Sequence, residues 1–307
     1  MKKLFLMMII IATAVVTMQA QRITSGNWYD GSLIFTATHA GGGKILMNAT
    51  AEGEELEFML LPVTQDGESE TYRVAEGPHD YVMPVNEGMT VRHVVKEGLD
   101  VLCFFNQETN MMERVMKNEH ETNEQQLNID QWLAQIRGDY SKDDGTSFVI
   151  DSEKARIGGT YVPLEVLTFN GMPTGIVDID EKHYKVVPTL RGLHLYETRY
   201  SEDDYCWKRT GNHFALTKST RNESRFSFTG FVLLNGYALN RYDKPLLRMM
   251  RNAILARHGY RFQSQDLQDY FGSESWYHPA DSNEGIRLSF IEELNIALIK
   301  HAEARAE

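Results

Sequence analysis

The chain has 307 residues, of which 42% are hydrophobic and 10% aromatic, enough apolar material for two or three folded domains. Its formal net charge is −12 at pH 7. Nucleic acids and anionic membranes both demand a basic protein surface, so we expect neither as a partner. The negative charge serves solubility, or it fits a cationic partner.

Residues 1–20 have the features of a secretory signal peptide. Two lysines precede a short apolar run from Leu4 to Val16, and Ala20 is a plausible last residue before cleavage. The run is too short for a comfortable membrane span, and no later segment is apolar enough to cross a bilayer. No Cys follows the run to carry a lipid. We therefore expect an exported protein, periplasmic or extracellular, without a lipid anchor.

Residues 21–118 predict a first antiparallel β domain. Six segments with strand character are separated by turn residues. They are Ser32–Thr38, Lys44–Thr50, Glu55–Val63, Thr71–Ala75, Thr90–Val95 and Leu99–Phe105. This spacing is typical of a meander that closes as a small barrel or folds as a sandwich. The glycines at 41–43 lack the Lys-Ser/Thr ending of a phosphate loop, so they predict a hairpin turn.

The polar stretch 119–128 predicts a linker, and residues 129–239 predict a second antiparallel β domain, again a barrel or a sandwich. The second domain opens with a short helix, Ile129–Ile136, capped by Asp130. Its predicted strands are Ser147–Asp151, Thr160–Thr168, Thr174–Ile179, His183–Val187, Leu193–Tyr200, Tyr205–Arg209, His213–Thr217 and Arg225–Leu234. A turn is predicted at 210–212, between the sixth and seventh of these.

Cysteine and histidine usage points to no catalytic or metal centre. Export permits a bridge between Cys103 and Cys206, but separate thiols are the expectation we favour, and neither has the basic neighbours of a reactive thiol. His183, His194 and His213 lie on three predicted strands and could in principle bind zinc. Alternation with apolar neighbours places the latter two rings on the solvent side. We expect no metal and no cofactor.

Residues 240–307 predict a helical domain whose first helix begins at Lys244. Asp243 is a suitable N-cap, Pro245 fits the first turn, and Gly259 fits the left-handed residue that ends a helix. The expected apolar face consists of Leu246, Met249, Met250, Ala253 and Ile254.

Arg257 lies in the middle of this apolar face. A buried guanidinium keeps its charge and needs a partner, for which Asp266 and Asp269 are candidates. His258 lies at the edge of the same face. The pair could form a ligand or catalytic site, or it could be a satisfied helix end that fixes how the next segment leaves. We favour the structural interpretation.

The helix centre, RMMRNAILARHGYRF from Arg248 to Phe262, resembles the YARHG domain of exported bacterial proteins. The resemblance covers Tyr242 to Lys300, and it implies a small helical domain with no established molecular function. Leu255 stands where the family has its leading Tyr, and Ala253 stands where the family usually has Glu. Matching positions are Arg251, Asn252, Tyr260, Phe262, Leu267, Tyr270, Phe271, Trp276 and Tyr277.

Two further helices complete the predicted domain. Ser264 can cap a helix Gln265–Phe271, and Ser289 with Glu292 forms a capping box that opens the last helix. Most aromatic residues between them serve a small core. Trp276 and Tyr277 are the candidates for an exposed platform.

The sequence thus predicts a mainly β protein of the α+β class, with two small antiparallel β domains followed by a helical domain. We expect a non-catalytic binding or scaffold protein of the bacterial envelope, whose partner is an envelope protein, peptide or glycan. Candidate binding residues are Arg257, His258, Trp276 and Tyr277. One alternative is a hydrolase of envelope polymers with His258 as acid/base. Another is a carrier that holds a small apolar ligand inside a barrel.

Overall fold

The computed structural model describes residues 23–51, 54–66, 69–75, 85–120, 123–151, 154–218 and 224–306. The predicted signal peptide lies outside this range. Among the described helices, none combines the length and hydropathy needed to cross a bilayer.

The first β domain is a closed antiparallel barrel in which each strand pairs with the next and the first pairs with the last. Its strands are β1 (Gly26–Tyr29), β2 (Ile34–His39), β3 (Ile45–Ala51), β4 (Glu54–Asp66), β5 (Ser69–Ala75), β6 (Thr90–Lys96), β7 (Leu99–Phe105) and β8 (Met112–Glu119). The sequence did not predict β1 or β8, which close the barrel through the pair Trp28 and Asn118. β1 has four residues, and β8 carries charged side chains that hide its alternation.

Large side chains fill the interior of this barrel. Trp28, Phe58 and Phe104 are at most 1% exposed, and the Phe58 ring contacts both Phe35 and Phe104 edge to face. A side chain with no accessible surface has no adjoining space large enough for a water molecule. This packing does not favour the hypothesis of a carrier with an apolar ligand inside the barrel.

Helix α1 (Glu124–Ala134) connects the two barrels. It begins five residues before the predicted helix, within the stretch predicted as a linker, because the Asn123 side chain rather than Asp130 caps it by accepting from the Gln126 backbone N–H. Asn128 is buried. It accepts a bond from the Tyr29 hydroxyl at 2.6 Å and donates to the Gly171 carbonyl at 3.1 Å, so it links both barrels.

The second β domain is also a closed antiparallel barrel. Its strands are β9 (Gly138–Lys142), β10 (Ser147–Ile150), β11 (Lys154–Ile157), β12 (Thr160–Phe169), β13 (Met172–Ile179), β14 (Lys182–Thr189), β15 (Gly192–Ser201) and β16 (Cys206–Lys218). The predicted turn at 210–212 is wrong. β16 runs through it, and the register against β15 shifts by a bulge between Tyr196 and Thr198.

The last predicted strand, Arg225–Leu234, is also wrong. This segment forms a 3-10 helix, Ser227–Gly230, followed by extended chain. The Thr229 hydroxyl donates to the Phe226 carbonyl at 2.7 Å, which supports the tight turn. The segment carries the chain from the second barrel to the helical domain.

The helical domain contains α2 (Gly236–Leu239), α3 (Lys244–Arg257), α4 (Gln265–Gly272) and α5 (Phe290–Arg305). The predicted Asp243 cap is confirmed, since its side chain accepts from the Leu246 N–H at 2.8 Å. Gly259 has φ of +75°, and the capping box at Ser289 is present. Ser264 occupies its N-cap position without capping, because its hydroxyl donates to Asp266 instead.

The helical domain shares its hydrophobic core with the outer surface of the first barrel. Val101, Cys103, Met112 and Val115 on β7 and β8 belong to the same buried cluster as α3 and α5. β7 is therefore apolar on both faces, which explains its continuous hydrophobic run. Cys103 is buried in this shared core and Cys206 is exposed, and both thiols are free, as favoured from the sequence.

Candidate functional site

Arg257 ends α3 with its guanidinium largely buried, at 19% exposure. It donates to the Phe226 carbonyl at 2.8 Å, to the Thr229 hydroxyl at 3.1 Å and to the Glu292 carboxylate at 3.3 Å. Burial lowers its pKa, and the bond and charge of Glu292 act against that shift. Arg257 is thus partly buried at the end of the helix.

The predicted acid partners of Arg257 are wrong. Asp266 pairs with Arg248 at the surface, and Asp269 accepts from the Gln265 side chain at 2.7 Å. Both acids belong to α4, and both are engaged by neighbours that lie closer to them. The partner of Arg257 is Glu292, in the first turn of α5.

His258 shares the Glu292 carboxylate with Arg257. Its Nε2 lies 2.9 Å from Oε1 and 2.8 Å from Oε2, and the ring is 31% exposed. Glu292 is 7% exposed and also accepts from the Ser289 backbone N–H at 3.0 Å. Burial opposes its ionisation, but the bonds from Ser289 and His258 prevail and hold its pKa below the usual value. The carboxylate is therefore ionised at neutral pH.

A second polar residue of α5 secures the connecting segment. Asn295 is fully buried, and its amide group donates to the carbonyls of Thr229 and Val232, each at 2.8 Å. Its oxygen accepts from the Leu234 N–H at 2.8 Å. At Gly230, a Cβ would lie 3.3 Å from the Arg257 guanidinium, so a larger residue would press against that group.

Together, Arg257, His258, Glu292 and Asn295 join the end of α3, the start of α5 and the segment 226–234. We call this group the helix clamp. Asn295 was not predicted as a site residue, and Glu292 was predicted only as a capping residue. The sequence does contain one indication of its role, because Asn295 is a polar residue between Leu294 and Leu298, within the apolar surface of α5.

The clamp has limited catalytic capacity. A histidine beside an ionised carboxylate can transfer protons. The Ser289 hydroxyl, however, donates to Glu292 at 3.1 Å and not to His258, so it is not activated as a nucleophile. Glu292 itself is shared between two side chains and the end of a helix. These contacts indicate a structural role for the carboxylate.

The two predicted platform residues are half-buried. Trp276 and Tyr277 both pack against Phe271, at ring-centre distances of 5.9 and 5.8 Å. Trp276 donates to Glu274 at 3.0 Å, and the Tyr277 hydroxyl donates to the Tyr260 carbonyl at 2.8 Å. The polar group of each ring is thus held by a hydrogen bond within the domain. Their role in binding stays a prediction.

The three histidines considered for zinc do not meet. His183 lies 3.3 Å from Asp178, whereas His194 and His213 both contact Tyr196. In the part of the chain that the structure describes, no group of three His, Cys, Asp or Glu side chains is arranged to hold a metal ion.

An ionisable network that was not predicted lies inside the first barrel. His93 is buried between two carboxylates, with Asp100 at 2.7 Å and Glu70 at 3.9 Å. The Tyr72 hydroxyl donates to Glu70 at 2.5 Å, and Asn118 donates to Asp100 at 2.7 Å. Burial opposes the ionisation of Asp100, but the bonds from His93 and Asn118 lower its pKa overall. The network satisfies the polar groups that these residues bring into the barrel.

A cleft of ≈ 270 Å³ lies where the first barrel, α1 and the connecting segment meet. Phe231 lines it and is 69% exposed. Leu127 and Val115 add apolar surface, and Asp130 and Gln131 add polar groups. Sites between structural units with this mixture of groups are suited to ligands.

Comparison with known protein families gives one match. The family described as the YARHG domain matches residues 234–304. No match was found among curated proteins or among solved structures. The matched region contains α2 to α5 and all four members of the helix clamp, so the C-terminal part of this chain matches the YARHG domain family, a family typical of exported proteins.

Proposed function

We propose that this protein is a non-catalytic binding protein of the bacterial envelope, and that its YARHG motif has an architectural role. In this proposal, Arg257 and His258 hold α3 and α5 against the segment 226–234, which leads from the second barrel to the helical domain. Binding then takes place on surfaces that the three units form together. The junction cleft beside Phe231 and the half-buried rings of Trp276 and Tyr277 are the candidate surfaces.

The observation that carries the proposal is the use of the motif's polar groups inside the fold. Arg257 bonds a backbone carbonyl, a hydroxyl and a carboxylate, and His258 bonds the same carboxylate. Groups that a substrate would have to engage are already occupied. Replacing those contacts would leave a buried carboxylate with fewer partners, at a cost in free energy.

A co-sedimentation experiment with purified peptidoglycan sacculi tests the proposal. We expect the wild-type protein to sediment with the sacculi and to release no soluble fragments. His258→Gln keeps a donor for Glu292, so it should sediment as the wild type does. Phe231→Asp places a charge in the cleft and should reduce the bound fraction. Val63→Asp, at an exposed position on β4, is the matched control for an added surface charge.

The hydrolase alternative makes the opposite prediction in the same experiment. The 2.8 Å contact between a partly exposed His258 and Glu292 is the observation that favours it. Fragments released by the wild type and absent with His258→Gln would support a hydrolase and contradict the binding proposal. Circular dichroism of each variant, recorded beforehand, separates lost function from lost fold.

A further inference from the structure

The outer face of the second barrel carries an ordered set of basic and aromatic side chains. Lys185, Tyr196 and His213 are register partners across β14, β15 and β16. Arg209 follows in the next row, opposite Thr198. Neighbouring residues such as Leu195 point into the barrel core, so these side chains point outward.

Tyr196 holds the Arg209 guanidinium in place. The guanidinium carbon lies 3.9 Å from the centre of the Tyr196 ring, and the His213 ring stacks with Tyr196 at 5.5 Å and 20°. A cation over an aromatic face is attracted by the ring's negative surface. This contact restricts the guanidinium while leaving its N–H groups free to donate.

Two more cations converge on the same face. The Lys185 ammonium donates to the Thr174 carbonyl at 2.8 Å, and Arg241 donates to the Pro173 carbonyl at 3.3 Å. These carbonyls belong to consecutive residues of β13, so both cations are anchored to the same segment of that strand. Burial lowers the pKa of Lys185, and the positive charges of Arg241 and Arg209 lower it further.

These three cations have no acidic partner among the described residues. Their contacts are with carbonyls and an aromatic ring, although the whole chain has a net charge of −12. Asp178 does not contact these cations. It is the register partner of His183 in the adjoining row, and its carboxylate lies 3.3 Å from the His183 ring. Like charges held together raise the free energy of the fold, and a bound anion removes that cost.

We propose that Lys185, Arg209 and Arg241 form a binding site for a ligand that carries a carboxylate group. A guanidinium fork matches the two oxygens of a carboxylate, and two such groups adjoin an ammonium here. Phosphate sites commonly use free backbone N–H groups, whereas β15 at this site is paired with strands on both sides. The inference rests on the proposed binding function and names a ligand class for it.

The test uses glucuronate, glucose 6-phosphate and glucose, which share a sugar ring and differ in charge. Each is titrated into the isotope-labelled full chain, and the backbone amide shifts of β14 to β16 are followed by NMR. Arg209→Gln and Arg241→Gln remove single charges from the site. Arg199→Gln is the matched control, because Arg199 is an exposed arginine one residue beyond Thr198 and faces the opposite side of β15.

We expect glucuronate to shift the amides around Lys185 and Tyr196 saturably, and glucose to leave them unchanged. Arg209→Gln and Arg241→Gln should each weaken glucuronate binding at least tenfold, and Arg199→Gln less than twofold. Binding of glucose 6-phosphate alone would overturn the carboxylate assignment. If all three variants weakened glucuronate binding equally, binding would depend on the overall charge of the protein, and the proposed site would be wrong. Absence of glucuronate binding while the wild type still sediments with sacculi would overturn this inference and leave the binding function standing.

Discussion

Removal of the Arg257 side chain tests whether the helix clamp holds the helical domain in place. Arg257→Ala deletes the donors to the Phe226 carbonyl, the Thr229 hydroxyl and the Glu292 carboxylate. It also removes the positive charge beside a carboxylate that is only 7% exposed. Glu292 keeps His258 and Ser289 as partners, so its carboxylate still has hydrogen-bond donors in the variant.

The magnitude follows from these contacts. Truncating one member of a buried ion pair costs about 3–5 kcal/mol, and a hydrogen bond to a charged group contributes about 1.5–3 kcal/mol. The remaining partners of Glu292 reduce the penalty, so we expect Arg257→Ala to destabilise the clamp by about 2–4 kcal/mol. At about 1.4 kcal/mol per factor of ten, hydrogen-exchange protection should fall about 30- to 1,000-fold.

Native-state hydrogen exchange of α5 peptides measures this loss locally. Arg248→Ala is the matched control on the same helix. Arg248 pairs with Asp266, but their side chains are 36% and 62% exposed, so the expected cost is below about 1 kcal/mol. Peptides from the second barrel should exchange alike in both variants. If α5 exchanges equally in Arg257→Ala and Arg248→Ala, the clamp does not stabilise the domain.

Two further predictions concern titration and thiol reactivity. The carboxyls of Glu292 and Asp100 have lowered pKa values in the fold, so their contribution to stability is complete at neutral pH and is lost as the pH falls through those lowered values. The urea midpoint of the wild type should therefore decline from pH 7 to pH 3, and the midpoint of Glu292→Gln should decline less steeply. Parallel curves for the two proteins would contradict the stabilising role of the ionised Glu292 carboxylate. Burial raises the pKa of Cys103 to about 12, whereas Cys206 is exposed. A thiol reagent should therefore react rapidly with one thiol per native chain, that of Cys206, and slowly with the buried thiol of Cys103. Cys206→Ser should remove the rapid reaction and leave the slow one unchanged. Rapid reaction of a second thiol would show that Cys103 lies at the surface.

The helical domain could be predicted closely because its signals are local. The cap at Asp243, the left-handed Gly259 and the capping box at Ser289 each depend on residues within one helical turn. The burial of Arg257 followed from its position on the apolar face of a single helix. Local geometry of this kind is fully present in the sequence.

The barrels were less predictable because closure is not local. β1 pairs with β8 across some ninety positions, and neither strand has enough alternation to be seen alone. The Thr210–Asn212 stretch has the composition of a turn, yet it belongs to β16. Gly211, with φ of +101°, accommodates the irregular register there. A glycine that permits a bulge and one that permits a turn are identical in sequence.

The identity of the acid beside Arg257 shows the same limit within the site. Asp266 and Asp269 were nearer in sequence, but Glu292 reaches Arg257 because α5 packs directly on α3. The resemblance to the YARHG family implies a glutamate at the position of Ala253. Here Ala253 is fully buried in the core, four residues before Arg257 on the same face. The clamp takes its carboxylate from α5, where the Glu292 side chain both caps the helix and neutralises Arg257. A single substitution at Glu292 should therefore disturb both helices, whereas Asp266 can change without affecting the clamp.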